Sequence, residues 1–236
     1  VWLSNGEAVK NIPVFSVIIV VQMCFGELLF SDDFNDGNDD GWEHLGSASF
    51  QVINGRYFIH ARGSRGQGKS LNGDQSGVMS TADYSVLSSL VMECGMESGL
   101  IARYTGDDQW YYRMVVKPYS SRILLERKKD TGPSILMDQC SFTLTAGSQY
   151  WIRLEVEGNS IRGRIWDGPI DQEPEEWMLT AVDNMQGEGG SLGLFAGGYG
   201  RIPWSSIFDD VAVSAPAEQQ QLSSVTWASI KATGSF

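Results

Sequence analysis

The stretch that most constrains the fold is SGLIARYTGDDQWYYRMVVK, residues 98–117. It reads as a β-hairpin, with one strand over 100–104, a polar turn over 105–109 that contains Gly106, and a return strand over 110–117. In the return strand Trp110, Tyr112, Met114 and Val116 share one face, and Tyr111, Arg113, Val115 and Lys117 share the other. A period of two with unequal faces marks a strand whose apolar side must be covered. The first strand divides the same way, with Leu100, Ala102 and Tyr104 set against Ile101 and Arg103. A sheet with one greasy face needs a second layer, and the rest of the chain supplies strands to build it.

Those strands are expected at 27–34, 49–53, 56–61, 86–96, 122–128, 150–157, 160–166, 191–196 and 207–213, with short ones at 135–137 and 142–144. Asn54-Gly55 joins two of them, and Asn-Gly between alternating residues is the strongest short hairpin signal. A second hairpin turns at Gly158-Asn159. In it Tyr150, Ile152, Leu154 and Val156 point one way, and Trp151, Arg153, Glu155 and Glu157 the other. Its return strand sets Ile161, Gly163 and Ile165 against Arg162, Arg164 and Trp166. By parity, the polar faces of the two hairpins carry Arg103, Arg113, Arg153 and Arg164 with aromatics among them. Residues 35–41 (NDGNDDG), 62–76 and 167–176 read as loops, and no helical pattern of useful length appears. Closely spaced strands separated by turn signals predict an all-β sandwich or barrel.

Residues 14–26, VFSVIIVVQMCFG, are apolar but shorter than the ~20 residues of a membrane helix. With Lys10 ahead and Cys24-Phe25-Gly26 behind, they fit a signal peptide or leader spanning 1–26. A buried strand rich in Val and Ile is the competing reading. The folded unit is then 27–215, followed by a linker and short tail over 216–236. On this reading the mature chain has no membrane span and is secreted or held at the cell surface. Seventeen basic residues against 29 acidic ones give a net charge of −12. No basic stripe is present to neutralise phosphates, which excludes nucleic acid as a partner. With Cys24 in the leader, Cys94 and Cys140 remain, either as a disulfide or as two buried thiols.

FSDDFNDGNDDGW near the start, SGLIARYTGDDQWYY in the middle, WIRLEVEGNSIRGRIWD, EPEEW and the closing FDDVAV together resemble the concanavalin A-like lectin/glucanase superfamily, and within it the laminin-G-like bacterial extracellular domains. The likeness spans about residues 27–215. It implies a two-sheet antiparallel jelly-roll sandwich with a concave face that often binds sugars, and a frequent structural calcium.

Asp32, Asp33, Asp209 and Asp210 sit in similar settings, SDDF and FDDV, in the first and last strands. If those strands pair, four carboxylates approach one another, and crowded carboxylates favour an oxygen-seeking cation such as Ca2+. The alternative is that they cap turns. Arg103, Tyr111, Arg113, Arg164 and Trp166 are the candidate ligand-binding residues, because parity groups aromatic rings with arginines on polar faces. The E-x-D-x-x-E run of the resembled glucanases is missing. Glu155 and Glu157 share a strand face but lie at a hairpin end, and His44 and His60 share no strand. No catalytic residue is assigned. The expected function is a secreted carbohydrate-binding or adhesive module that recognises a polysaccharide or glycoconjugate, alone or within a larger surface protein. A divergent glycoside hydrolase or polysaccharide lyase, and a ligand-free spacer, are the alternatives.

Overall fold

The computed structural model describes residues 27–61, 66–72, 81–94, 97–106, 109–129, 131–184, 189–198 and 203–216. The expected leader at 1–26 and the tail beyond 216 lie outside these. In chain order the strands are β1 (Leu28–Asp32), β2 (Glu43–Gly46), β3 (Ser49–Ile53), β4 (Arg56–Ala61), β5 (Gly66–Asn72), β6 (Tyr84–Cys94), β7 (Glu97–Tyr104), β8 (Tyr111–Lys117), β9 (Arg122–Lys128), β10 (Ser134–Ser141), β11 (Gln149–Glu157), β12 (Ser160–Trp166), β13 (Leu179–Val182), β14 (Ser191–Gly198) and β15 (Trp204–Ser214). They form two antiparallel sheets, ordered β13-β12-β11-β6-β15-β4-β3 and β10-β9-β8-β7-β14-β5-β2, with β1 added beside β15 in the first. The all-β, two-sheet jelly-roll sandwich expected from the sequence is the observed fold.

Alternation decides which side chains enter the interior. Tyr112, Met114 and Val116 of β8 and Ile152, Leu154 and Val156 of β11 meet in one core between the sheets, each fully buried. The chain start is fixed to this core by aromatic stacking. Phe34 lies 4.9 Å from Tyr57, nearly parallel, and the Trp42 indole N–H donates to Asp32 Oδ2 at 2.7 Å. The Asn54-Gly55 turn has φ of 51° and 71°, the two left-handed residues that a tight hairpin needs.

Several elements depart from the sequence expectation. Residues 66–72, read as part of a loop, form β5, which lies between β14 and the edge strand β2 of the second sheet. Gly68 explains both the strand and its disguise: a Cβ there would lie 2.5 Å from Ala48 and 2.9 Å from Ile59 and Phe50. The strand packs through its glycine, so the apolar alternation is lost from its sequence. β2 and β13 were likewise unforeseen. The short strand expected at 135–137 is longer, β10, with a bulge between Leu136 and Asp138, and the one expected at 142–144 is not a strand. Cys94 and Cys140 are free thiols on strands of different sheets, so the disulfide alternative is set aside.

Candidate functional site

The sandwich has two outward faces, and the sequence-predicted residues are divided between them and the interior. Arg103 belongs to neither face. The strand alternation breaks at β7, where Arg103 takes φ of 55° and the register with β14 shifts between Ser191 and Gly193. This bulge moves Tyr104 into the outward position that parity assigned to Arg103. The Arg103 guanidinium is fully buried and donates to the carbonyls of Ala82 and Gly158, each at 2.9 Å, with Asp83 at 3.2 Å. Its backbone N–H donates to the Tyr84 hydroxyl at 2.7 Å, and that hydroxyl donates to Gly190 O. Arg103 therefore ties the start of β6 to the β11–β12 turn.

Arg164 and Trp166 lie on the outer face of the first sheet, where Arg153 and Arg164 sit directly opposite one another. Like charges in that position repel, and Glu173 resolves the conflict. Its carboxylate meets Arg153 at 2.5 and 2.7 Å and Arg164 at 2.6 Å. The Arg164 guanidinium also lies 4.0 Å from the Trp177 ring centre. Burial pulls the Arg164 pKa below the usual arginine range, with Arg153 adding to the effect and Glu173 opposing it. Trp151 and Trp166 stack with centroids 6.5 Å apart, and the Trp166 indole N–H donates to Pro169 O. The two-proline loop is thus strapped across this face, leaving a hollow of about 850 Å³ at its side.

Tyr111 and Arg113 lie on the outer face of the second sheet, in a cluster with Leu71, Ile101, Tyr104 and Phe195. Register places Glu126, Arg113, Ile101, Gly193 and Leu71 in one row across five strands. Gly197 pairs with both Glu97 and Gln67 in a second row. Between the rows stands Phe195, with the Arg113 guanidinium over its ring at 4.8 Å. Arg113 donates to Glu126 Oε2 from Nε at 2.8 Å and from Nη2 at 2.6 Å. Glu97 lies 3.9 Å from Arg113 Nη1, and Lys117 bridges the two acids at 3.4 Å to Glu97 and 3.8 Å to Glu126. Burial alone would lower the Arg113 pKa, but Glu126 and then Glu97 outweigh it and hold the guanidinium above its ordinary value. Beside this network Lys69 sits over the Tyr104 and Tyr111 rings at 4.7 and 5.6 Å. The face opens as a hollow of about 710 Å³, lined by glycines and by Gln67, Glu97, Arg113 and Lys128.

Glu97, Arg113 and Glu126 are each no more than 4% exposed, although they sit on the outer side of the sheet, away from the core. Desolvating three ionic groups costs stability that apolar residues of similar size would not. Valine or threonine would serve a sheet exterior better, so the arrangement is one suited to recognition. It offers fixed donors, fixed acceptors and an aromatic plate on rigid strands. Of its members, Tyr111 and Arg113 are the ones expected from parity. Glu97, Gln67, Lys69 and Phe195 were missed. Their signal was the alternation Gln67, Lys69, Leu71 beneath a Gly- and Ser-rich surface.

The terminal strands do pair, with Asp32 opposite Val211. Three of the four aspartates already accept hydrogen bonds from other groups. Asp32 accepts from Phe34 N and Trp42 Nε1, Asp33 from Asn35 N, and Asp209 from Asp210 N with Arg56 at 3.8 Å. Among the described residues no group of three or more His, Cys, Asp or Glu side chains gathers in metal-binding geometry. The aspartates cap turns and the β15 bulge, where Asp210 has φ of 50°. Glu155 and Glu157 both pair with Arg162.

Two antiparallel sheets with this strand order define the class, a two-sheet antiparallel β-sandwich. Carbohydrate-binding module CBM66 from Bacillus subtilis superposes with a TM-score of 0.57 at 16% identity, over 75% of this chain and 98% of that one. The VIP36 exoplasmic/lumenal domain in its Ca2+/Man3GlcNAc-bound form gives 0.59 at 11% identity, over 80% and 90%. The GH43 protein BlXynB from Bacillus licheniformis, as a K247S mutant, gives 0.54 at 12% identity, over 78% of this chain and 39% of that one. These likenesses concern the fold. No family model matches the chain, and no curated protein matches it in sequence.

Proposed function

We propose that this protein is a carbohydrate-binding module that holds a glycan on the outer face of its second sheet, in the hollow around Glu97, Arg113, Gln67 and Gly197. The observation that carries the reading is the buried Glu97–Arg113–Glu126 network on an outward face, which the fold does not need. Saccharides present hydroxyls that donate and accept and C–H faces that stack on rings, and this surface supplies partners for both. The carbohydrate-binding modules and lectin domains of similar fold support it. In this reading the protein acts outside the cell on a polysaccharide or glycoconjugate. Among the described residues no helix is long and apolar enough to cross a membrane.

A structural calcium at the Asp32, Asp33, Asp209 and Asp210 seam belongs to the same reading only as a separate element. It is supported by a lectin domain of similar fold having a calcium-bound form and by the mutual repulsion of Asp33, Asp209 and Asp210. A cation there would have to replace bonds the aspartates already make, and nothing in glycan recognition depends on it.

The test is a glycan array with wild type and Gly197→Val. A Cβ at Gly197 would sit at ordinary contact distance, 3.4 Å from Gln67 and Phe195 and 3.5 Å from Glu97. Valine is therefore tolerated by the strand, and its methyls fill the hollow. Retained melting temperature with lost binding is expected. Unchanged binding would place the glycan elsewhere.

A further inference from the structure

The charged side chains of the glycine-floored hollow are already engaged, and this step rests on the reading above. Arg113 holds Glu126, Glu97 lies 3.4 Å from Lys117 Nζ, and Lys128 donates to Gly132 O. A ligand that paired with these groups would have to displace bonds they already make. Gln67, which lines the same hollow, differs. It is exposed, and among the described residues its side-chain amide makes no hydrogen bond. Its backbone is fixed, because Gln67 O accepts from Ser47 N at 3.0 Å and Gln67 pairs with Gly197 across the sheet. A Cβ at Gly197 would lie 3.4 Å from Gln67 Cβ and 3.5 Å from Glu97 Oε1, so Gln67 stands on the outward face beside the floor. Packing accounts for two other glycines of that floor: a Cβ would lie 2.2 Å from Gln67 O at Gly46 and 2.3 Å from Trp204 at Gly198. Gly197 is under no such pressure, and its bare backbone keeps the space beside the amide open.

A primary amide sets an acceptor and a donor side by side in one plane. Two hydroxyls on neighbouring ring carbons, in gauche arrangement, match it: one donates to Oε1 and the other accepts from Nε2. The fit is the neutral counterpart of an arginine fork on a carboxylate. A lone hydroxyl uses half of it. We infer that Gln67 is the specificity-determining residue of the hollow and selects saccharides with a free vicinal diol, held by its amide over the Gly197 floor. Arg113, Glu97 and Glu126 stay paired and wall the space.

Isothermal titration of the wild type, Gln67→Leu and Gly197→Val tests this. The probes are oligosaccharides of mannose, xylose and glucose whose rings keep two adjacent hydroxyls free, and deoxy analogues that lack one of the pair. The wild type is expected to bind a diol-bearing probe. Gln67→Leu keeps the bulk of the side chain and breaks no bond of the fold, so the melting temperature should hold. Its affinity should fall roughly tenfold, as for two neutral hydrogen bonds. The deoxy analogue should bind wild type more weakly than its parent, and should bind Gln67→Leu as well as its parent does, because both changes remove one shared contact. If Gly197→Val abolishes binding but Gln67→Leu leaves it unchanged, or if the losses from Gln67→Leu and from the deoxy analogue multiply, the inference falls while the site stands. If Gly197→Val leaves binding unchanged, or no probe binds, the site itself is misassigned and the inference falls with it.

Discussion

Arg103→Met separates a structural arginine from a ligand-binding one. The guanidinium is fully buried, and its two best bonds go to the carbonyls of Ala82 and Gly158, at 2.9 Å each. Hydrogen bonds to a charged group contribute about 1.5–3 kcal/mol each, and an acceptor left buried without a partner loses at least that much. Asp83 is half exposed and retains the Gly158 N–H at 2.7 Å, so its ion pair adds little. Methionine keeps much of the apolar stem, and the left-handed backbone strain is the same for either side chain. The expected loss is roughly 3–6 kcal/mol. For a domain of this size that corresponds to a fall in melting temperature of about 10–15 °C. The assay is thermal unfolding followed by circular dichroism, with glycan affinity measured well below the transition. Affinity should match wild type. A melting temperature within about 2 °C of wild type, together with lost glycan binding, would refute the structural role and return Arg103 to the ligand-binding set.

Asp209 carries a raised pKa, through burial and then the nearby Asp210 and Asp33 charges, so the folded state holds its proton more tightly than the unfolded chain. Stability from this group therefore falls as pH rises from the ordinary carboxylate value through the raised one. Asp209→Asn should raise the melting temperature at pH 7, with the gain vanishing below about pH 4; a gain that persists in acid would contradict the assignment. If a cation sits at the seam, melting curves should show a calcium-dependent rise over chelator that Asp210→Ala abolishes, and superimposed wild-type curves would rule the cation out. Cys94 is exposed, whereas burial and then Asp138 push the Cys140 thiol above its usual pKa. Maleimide should therefore label Cys94 first by mass spectrometry, and a reductant should leave the melting temperature unchanged.

Where strand alternation ran unbroken, the sequence was enough. β8, β11 and β12 faced as expected, and the terminal strands paired as the FDDV and SDDF settings suggested. The failures share a cause, which is that parity is local and bulges reset it. One residue inserted in β7 carried Arg103 from the outer face into the interior. The division of arginines between two sheets was equally hidden. Arg113 and Arg164 occupy equivalent positions in look-alike hairpins, but sheet membership is set by long-range pairing of β6 with β15 and of β7 with β14. The glutamates of the hollow were hidden for a related reason. Glu97 and Glu126 lie on different strands, far apart in the chain, and only register brings them to the same arginine.

The central claim is that an outward ionic network on the second sheet is a glycan site. Backbone amide chemical shifts of the labelled protein, followed while a neutral oligosaccharide found to bind is added, test it most directly. The account predicts saturable shifts concentrated at Gln67, Glu97, Arg113, Phe195 and Gly197, with the Arg153–Glu173–Arg164 strap on the opposite face unmoved. Shifts confined to that strap, around Arg164, Trp166 and Trp177, would contradict it.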